Sequence, residues 1–264
     1  MANETLFFLQ NGVYSNATFR RLVRTLKSYD ALICIGAFQL ELAQKLLPDH
    51  RAFGPALFSV HSSLSDERLD SLANLEPSTD SQNLLFIGNG PSGWRAWYKG
   101  MDMLIEAFEI ALAALPSLEL TIVGEWDVAF RRSLLEKYPL VQGKVKFVGP
   151  TSDLSPHLSA ASLYVHIARG EAFGISIVEA MRAGVPALVS EFTGAKEAVS
   201  RVDSRSVVKA DPGEVATAII EYFNSTKDYR NSLSKRSREI AGSYTFERSA
   251  DEFTKVISSL CRSR

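Results

Sequence analysis

Short apolar runs alternate with segments of helical periodicity along most of the chain. The runs, such as Ala31–Ile35 and Ala56–Val60, are rich in Leu, Ile and Val and end in polar or glycine-containing turns, which is typical of buried strands. Between them, apolar positions recur at three- and four-residue intervals, as on a helix with one buried face. This alternation predicts an α/β protein with a doubly wound parallel sheet covered by helices.

The pattern divides the chain into a small first part, residues 1–80, and a larger second part, residues 81–264. The stretch 62–82 between them is rich in Ser, Asp, Glu and Asn, which is typical of a connection between two lobes. In the first part we predict strands at Leu6–Leu9, Ala31–Ile35 and Ala56–Val60 and helices at Ala17–Ser28 and Phe38–Leu47. In the second part we predict strands at Leu84–Ile87, Leu118–Val123, Val145–Val148, Leu163–Ile167, Ala187–Ser190 and Ser206–Val208.

Composition and charge narrow the class of protein. A chain of 264 residues with 46% apolar and 22% charged residues is able to bury a sizeable core. Its formal net charge of -1 argues against nucleic acid as a partner, because duplex binding needs a basic excess. Cys34 and Cys261 form no metal or redox pair, and we find neither a leader peptide nor a membrane span. We therefore expect a cytoplasmic protein.

A glycine-rich loop, Gly88–Gly93, follows the first strand of the second part and matches G-x-G-x-x-G. By itself this is a weak signal for a flavin or nicotinamide oxidoreductase. That hypothesis also needs a helix that begins within the glycines and an acidic residue about 20 positions further on. We expect the loop to continue to Gly100 instead, and the next strand ends at Gly124-Glu125, which is too far along the chain. The oxidoreductase alternative therefore rests on this loop alone.

Two cations, Arg95 and Lys99, stand just before a predicted helix that begins near Met101. The N–H groups at the start of a helix and nearby cationic side chains attract the same anion, so this is a candidate site for a diphosphate. A solvated basic loop is the alternative.

Glu171 and Glu179 lie on either side of a predicted helix start. Glu179 is flanked by apolar helix positions, and a buried carboxylate needs donors or a cation. Sugar hydroxyls are able to supply those donors, and the N–H groups of Phe173, Gly174 and Ile175 are able to bind phosphate. Alternatively, Glu179 pairs with Arg182 or another basic residue and Glu171 is solvated. The residues alone leave both interpretations open.

The stretch from Glu171 to Glu179 resembles the E-x7-E element of the retaining GT-B glycosyltransferases of family 4. Other landmarks of that family follow in order between about residues 83 and 250: Lys99-Gly100, Thr121–Gly124, Val145–Gly149, Glu171–Gly174, Gly184–Pro186, and Gly194 with Glu197. The resemblance implies that residues 81–264 form the Rossmann-like, nucleotide-sugar-binding domain of a GT-B fold. Residues 1–80 would then be a shortened, acceptor-side N-terminal lobe.

The resemblance also implies roles for individual residues. Glu171 would contact the transferred sugar, Glu179 the ribose, and Arg95 and Lys99 the diphosphate. Arg95 stands one residue nearer the lysine than is usual in the family, and Ile167-Ala168 replaces the Pro-Ser that is common before the first glutamate. Further donor contacts are expected at Gly88, Gly90, Gly124, Val148, Gly149, Phe173, Gly174 and Ile175.

By this resemblance we expect a retaining hexosyltransferase that moves a sugar from a nucleoside diphosphate sugar to a glycan or lipid-linked acceptor. It would need no cofactor and no metal, since the chain has no D-x-D motif and cations replace the ion at the leaving group. The alternative is a donor-binding subunit or non-catalytic sugar-nucleotide module that relies on a partner chain or a homo-oligomer for its acceptor site.

Four further features are open to interpretation. His61 is a candidate base in the first part, although a lone histidine at a strand end is more often structural. His166, in the strand below Glu171, would at most orient the sugar side. The basic amphipathic helix Ala17–Ser28 favours either peripheral contact with an anionic membrane or packing on the small sheet. The run Phe246–Leu260 resembles the last helix of the family fold, which returns to the first lobe, with its apolar stripe packed.

Overall fold

The computed structural model describes residues 16–262, with the side chains at positions 16, 52 and 53 left aside. Most predicted strands agree with it within two residues at each end, and the predicted strand Leu6–Leu9 lies outside the described residues. The elements in chain order are α1 (Asn16–Lys27), β1 (Ala31–Ile35), α2 (Gly36–Leu46), α3 (His50–Phe53), β2 (Ala56–Val60), α4 (Asp66–Ala73), β3 (Asn83–Ile87), α5 (Gly93–Tyr98), α6 (Met101–Leu112), β4 (Glu119–Val123), α7 (Val128–Lys137), β5 (Val145–Gly149), α8 (Ser155–Ala160), β6 (Leu163–His166), α9 (Ile175–Arg182), β7 (Ala187–Ser190), α10 (Lys196–Val202), β8 (Val207–Val208), α11 (Pro212–Asn224), α12 (Lys227–Ala241) and α13 (Phe246–Arg262).

The second part of the chain forms a six-stranded parallel sheet with the order β5-β4-β3-β6-β7-β8. This confirms the predicted doubly wound fold. The chain builds one half of the sheet outward from β3 and then returns to place β6 on the other side of β3. In such sheets, ligands bind at the carboxyl ends of the strands where the order reverses. The edge after β3 and β6 is therefore the expected site.

The helix predicted to begin near Met101 is α6, and its apolar face lies in the core. Leu104, Ile105 and Phe108 are almost completely buried, and every residue of β6 and of β7 is buried. Burying such side chains stabilises the fold by about 1.5–3 kcal/mol each. The sheet is thus a rigid support for the loops at its edge.

The first part forms a separate two-stranded parallel sheet from β1 and β2. On β1, Ile33 and Ile35 are 38% and 45% exposed. Helix α13 returns to this region, as predicted, since the Ser249 hydroxyl donates to the carbonyl of His61 at 2.7 Å. His61 also binds the Glu252 carboxylate through its backbone N–H and its ring, so it joins the end of β2 to α13.

The predicted packing of the α13 stripe is only partly correct. Val256 is buried, but Phe253 and Ile257 are 48% and 40% exposed. Within the described residues, these two apolar side chains thus remain partly accessible to water.

The predicted connection between the lobes contains a helix, α4, that the polar composition did not indicate. The Ser65 hydroxyl caps it by accepting the N–H of Arg68 at 3.2 Å. Leu69 and Leu72 are buried in the core around the six-stranded sheet. Arg182 of α9 donates to the carbonyl of Leu69 at 3.0 Å, so α4 is fixed on α9.

The prediction of a continuous loop from Gly88 to Gly100 is wrong in one respect, because helix α5 forms within this range. The Ser92 hydroxyl accepts the N–H of Arg95, and burial of Ala96 and Tyr98 stabilises the short helix. A helix therefore does begin within the glycines. The argument against a dinucleotide site then depends on the position of the acidic residue alone.

For helix α1, contact of its basic face with an anionic membrane and packing on the small sheet both stay predictions. Arg20, Arg21 and Arg24 are exposed, and its apolar residues are partly exposed. Among residues 16–262, no helix is both long and apolar enough to cross a membrane.

Candidate functional site

Lys99 and Glu171 meet at the carboxyl edge of the sheet, one in the segment after β3 and the other in the loop after β6. Their side chains form an ion pair in which the Lys99 ammonium donates to Oε2 of Glu171. The two side chains are 16% and 15% exposed, so the pair is largely shielded from water. Glu171 is therefore not the solvated carboxylate of the alternative interpretation.

Two glycines let the segments that carry this pair approach each other. Gly100 has φ +74°, and a Cβ atom there would lie 1.6 Å from the carbonyl oxygen of Ile167. A Cβ atom at Gly170 would lie 2.1 Å from the hydroxyl of Tyr98. Only glycine fits such contacts, and only Gly adopts a positive φ at little cost. The chain is thus built to hold Lys99 against Glu171.

Arg169 clamps the same two segments together, a role that no pattern in the sequence indicates. Its guanidinium donates to both carboxylate oxygens of Asp102, at 2.6 and 2.7 Å, and lies 4.4 Å from the centre of the Trp97 ring. A bidentate pair with a stacked ring fixes orientation as well as distance. The partners are 67 residues apart, so only the fold brings them together.

His166 lies beneath Glu171 at the end of β6, where the sequence placed it. Its Nε2 is 3.3 Å from Oε2 of Glu171, an electrostatic contact without aligned hydrogen-bond geometry. Its Nδ1 is 3.2 Å from the hydroxyl of Tyr164, which in turn is 2.9 Å from the hydroxyl of Ser176. Because a carboxylate only accepts, we assign the proton of the neutral ring to Nε2, and Nδ1 then accepts from Tyr164.

Burial sets the protonation states of this cluster. Burial alone raises the pKa of Glu171, but contacts with His166 and Lys99 outweigh it and hold the pKa well below its usual range. Burial lowers the pKa of His166 against the opposing effect of Glu171. For Tyr164, burial disfavours the charged phenolate and therefore raises the pKa. At neutral pH, Glu171 is therefore a carboxylate, His166 a neutral imidazole and Tyr164 a neutral phenol.

Glu179 is held by a different residue from the one expected. Its Oε1 accepts from Nε of Arg68 at 2.8 Å, whereas Arg182 binds the carbonyl of Leu69. The side chain of Glu179 is 14% exposed and that of Arg68 is 29% exposed. The alternative interpretation was therefore right that a basic residue pairs with Glu179, but the pairing with Arg182 was wrong.

The start of α9 offers N–H groups beside Glu171. Gly174 precedes the helix with φ +93°, and the place of its missing Cβ is 3.3 Å from Cγ of Glu171. Within residues 16–262, the N–H groups of Gly174 and Ile175 have no hydrogen-bond acceptor, while the carbonyl of the buried Phe173 accepts from Ala195 at 2.7 Å. Unpaired N–H groups at a helix start favour an anion.

The other glycines expected to contact the donor are occupied within the protein. The N–H of Gly88 binds the carbonyl of Val123 at 3.0 Å, that of Gly90 binds Glu125 at 2.8 Å, and that of Gly124 binds Gly149 at 2.8 Å. A Cβ atom at Gly90 would lie 2.5 Å from the ring of Trp126. These N–H groups are thus used to join the loops after β3, β4 and β5.

Arg95 and Val148 lie at the periphery of the candidate site. Arg95 is exposed on α5, one turn before Lys99. Val148 is partly buried and packs on the core, and Gly149 beside it has φ +87° with open space around its Cα.

Two other features of the described residues bear on the choice of site. No group of three or more His, Cys, Asp or Glu side chains in the range 16–262 is arranged to hold a metal ion. A cavity of about 320 Å³ lies at the opposite edge of the sheet, where β6 begins, and its lining includes Leu163, Asp203 and Tyr229. We favour the edge with Glu171 because charged groups and unpaired N–H groups converge there.

Known glycosyltransferases are similar to this chain in sequence and in fold. A glycosyltransferase of Haemophilus influenzae is 24% identical over 92% of this chain and 67% of its own length. The phosphatidyl-myo-inositol mannosyltransferase of Mycolicibacterium smegmatis is 31% identical over 53% of this chain and 36% of its own length. The sucrose-phosphate synthase of Thermosynechococcus elongatus superposes with a TM-score of 0.71 at 22% identity, covering 95% of this chain and 63% of that one. The fold is therefore that of a GT-B glycosyltransferase.

The sequence model of the family "Glycosyl transferases group 1" matches residues 77–240, more than half of the chain. The match includes Lys99, both glutamates and the start of α9. It also includes all six strands of the large sheet. This chain belongs to the glycosyl transferases group 1 family.

Proposed function

We propose that this protein binds a nucleoside diphosphate sugar at the edge formed by β3 and β6 and transfers the sugar to a glycan or lipid acceptor with retention, without a metal ion. The observation that carries the proposal is the convergence of Lys99, Glu171 and the unpaired N–H groups of Gly174 and Ile175. A lipid acceptor is supported by the name of the mycobacterial relative, a phosphatidyl-myo-inositol mannosyltransferase. Retention is supported by the resemblance of the paired glutamates to the E-x7-E element.

The charges at the site suit the departure of a nucleoside diphosphate. When the bond between the anomeric carbon and the diphosphate breaks, negative charge grows on the leaving oxygen. Lys99 and the N–H groups at the start of α9 stabilise that charge more strongly than they stabilise the bound donor. The acceptor oxygen then bonds to the anomeric carbon, and its proton passes to the oxygen of the leaving diphosphate. No step requires a divalent ion, because these fixed donors face the diphosphate.

Glu171 acts on the sugar in this proposal. The diphosphate competes with Glu171 for the Lys99 ammonium, and sugar hydroxyls then donate to the carboxylate oxygens. His166 keeps the carboxylate in place from below. The low pKa of Glu171 ensures that the group accepts hydrogen bonds over the whole neutral range.

A thermal-shift screen with uridine, guanosine and adenosine diphosphate sugars tests donor binding. A ligand at 100 times its dissociation constant adds about 2.7 kcal/mol to the free energy of unfolding. We expect a shift with at least one donor and a smaller shift in the Lys99→Ala variant. Purified protein should also hydrolyse that donor slowly or transfer its sugar, and the anomer of the product reports on retention. Equal shifts in wild type and variant would refute the site.

Exposed apolar side chains on the small sheet and on α13 favour a second candidate, a donor-binding module that needs a partner chain or a second copy for its acceptor site. Ile33 and Ile35 on β1 and Phe253 and Ile257 on α13 are the residues concerned. Such exposed side chains often mark interfaces. Donor binding without turnover, together with turnover restored by a partner chain, would favour this candidate.

A further inference from the structure

Arg68 reaches the proposed donor site from α4, an element that lies outside the large sheet. Its Nε binds Oε1 of Glu179 across 111 residues of sequence. Within the described part of the chain, the two terminal amino groups of Arg68 and Oε2 of Glu179 have no hydrogen-bond partner. The pair therefore keeps donors and an acceptor available for a ligand.

The helix that carries Arg68 is fixed in place. Arg182 donates to the carbonyl of Leu69, and Arg238 donates to the carbonyl of Ala73 at 2.6 Å. Leu69 and Leu72 are buried beneath them. Because α4 is anchored at both its middle and its end, the guanidinium starts from a defined position and loses little entropy on binding.

Arg68 also faces the loop that follows β5. The Ser155 backbone N–H, and to a smaller extent the charge of Arg68, lower the pKa of Asp153 in this loop. Arg68 thus binds Glu179 and is close enough to the loop at the end of β5 for its charge to act on Asp153. Glu179 and this loop both border the same edge of the sheet as Lys99 and Glu171.

We propose that Arg68 binds the nucleoside of the donor, with Nε holding Oε1 of Glu179 and the terminal amino groups donating to oxygen atoms of the nucleoside. Oε2 of Glu179 remains for a ribose hydroxyl. The inference rests on the proposed function and adds a binding residue from the segment between the two parts of the chain. A planar guanidinium holds a carboxylate and a second acceptor together, whereas a lysine offers one charged point.

Calorimetric titration of the nucleoside diphosphates of uridine, guanosine and adenosine tests this role. Arg68→Ala should weaken binding of the preferred nucleotide about 10- to 100-fold, as expected for loss of a charged hydrogen bond worth roughly 1.5–3 kcal/mol. Arg68→Lys should restore only part of the loss. Arg236→Ala is the control, because Arg236 is exposed on α12 and donates to the carbonyl of Arg201 without contacting α4 or Glu179. It should bind the nucleotide within about threefold of wild type.

A double-mutant cycle with Glu179→Gln separates direct contact from an effect through Glu179. If Arg68 touches the nucleoside, Arg68→Ala still weakens binding at least threefold in the Glu179→Gln background. If the loss disappears in that background, or if Arg236→Ala weakens binding as much as Arg68→Ala does, the inference is wrong. Thermal unfolding of each variant without ligand verifies that it is folded.

The outcomes also separate this inference from the proposed function. Failure of the wild type to bind any of the nucleotides overturns both. Binding that is weakened by Lys99→Ala but unchanged by Arg68→Ala overturns only the role of Arg68.

Discussion

The regions around Glu171 and Glu179 hold their carboxylates in different ways. Glu171 is fixed from within the edge of the sheet, by Lys99 beside it and His166 below it. Close glycine contacts and the Arg169 clamp lock the two segments that carry Lys99 and Glu171. Glu179 lies on a helix and is held by one arginine from a remote element.

Because of this difference, substitutions around the two glutamates should have different effects. Changes around Glu171 disturb a locked cluster in which charge, protonation and backbone geometry depend on one another. Changes around Glu179 remove one contact and leave the sheet edge intact. We therefore expect losses of turnover and stability near Glu171 and losses of donor affinity near Glu179.

The largest expected effect is that of Lys99→Ala on turnover. Removing a positive charge that faces the leaving diphosphate should slow transfer or donor hydrolysis by roughly 100- to 1000-fold, the usual cost of losing one preorganised electrostatic contact. Lys227→Ala is the control, since Lys227 pairs with Asp80 on the exposed surface. A Lys99→Ala enzyme within tenfold of wild type would remove the distinction between the two regions.

The next effect concerns the backbone lock at Gly100. Gly100→Ala should lower the free energy of unfolding by about 1–2 kcal/mol for the left-handed backbone alone, and further because its Cβ would meet the carbonyl of Ile167. Gly143→Ala is a matched control, because Gly143 has φ +76° with nothing within 4 Å of the added atom. Urea unfolding should therefore show a larger loss at Gly100, and equal losses would argue against the lock.

Glu179→Gln should act mainly on donor affinity. The amide replaces a charged acceptor of a ribose hydroxyl, and we expect the dissociation constant to rise roughly tenfold, equivalent to about 1.4 kcal/mol. The exposed Glu214→Gln serves as the control. A fall in maximal turnover with unchanged affinity would place Glu179 in the chemical step instead.

The smallest expected effect is a pH dependence of stability caused by His166. Burial lowers its pKa below the ordinary histidine value of 6.5, so below that pH the unfolded chain takes up a proton that the folded protein does not. The free energy of unfolding should therefore fall as the pH drops below 6.5, by at most about 1.4 kcal/mol per pH unit. His166→Gln should flatten this slope in urea unfolding between pH 5 and 6.5.

Glu171 contributes in a lower window. Its folded pKa lies below the ordinary glutamate value of 4.5, so the stability that it provides is present above that pH and is lost as the pH falls through the folded pKa. An unchanged slope between pH 5 and 6.5 in the His166→Gln variant would contradict the burial of a neutral imidazole.

The strands and the position of the site were predictable because they depend on local pattern. Runs that are buried on both faces, such as β6 and β7, differ clearly from their polar flanks. The parallel order then brings the ends of β3 and β6 together. Lys99 and Glu171 follow these two strands, so their meeting at one edge follows from the fold class.

The partners that hold the site were not predictable, because long-range packing determines them. Arg182 stands near Glu179 in sequence, yet its guanidinium binds α4, while Arg68 comes from a helix that the polar composition concealed. Helix α5 was missed for a similar reason. It is short, begins with glycine, and is stabilised by the Ser92 cap and by burial of Ala96.

A crystal structure with a bound nucleoside diphosphate sugar tests the central claim most directly. We predict that the diphosphate lies within hydrogen-bond distance of the Lys99 ammonium and of the N–H groups of Gly174 and Ile175, with Glu171 facing the sugar. A donor bound instead in the cavity beside Asp203 and Tyr229, at the opposite edge of the sheet, would contradict the claim.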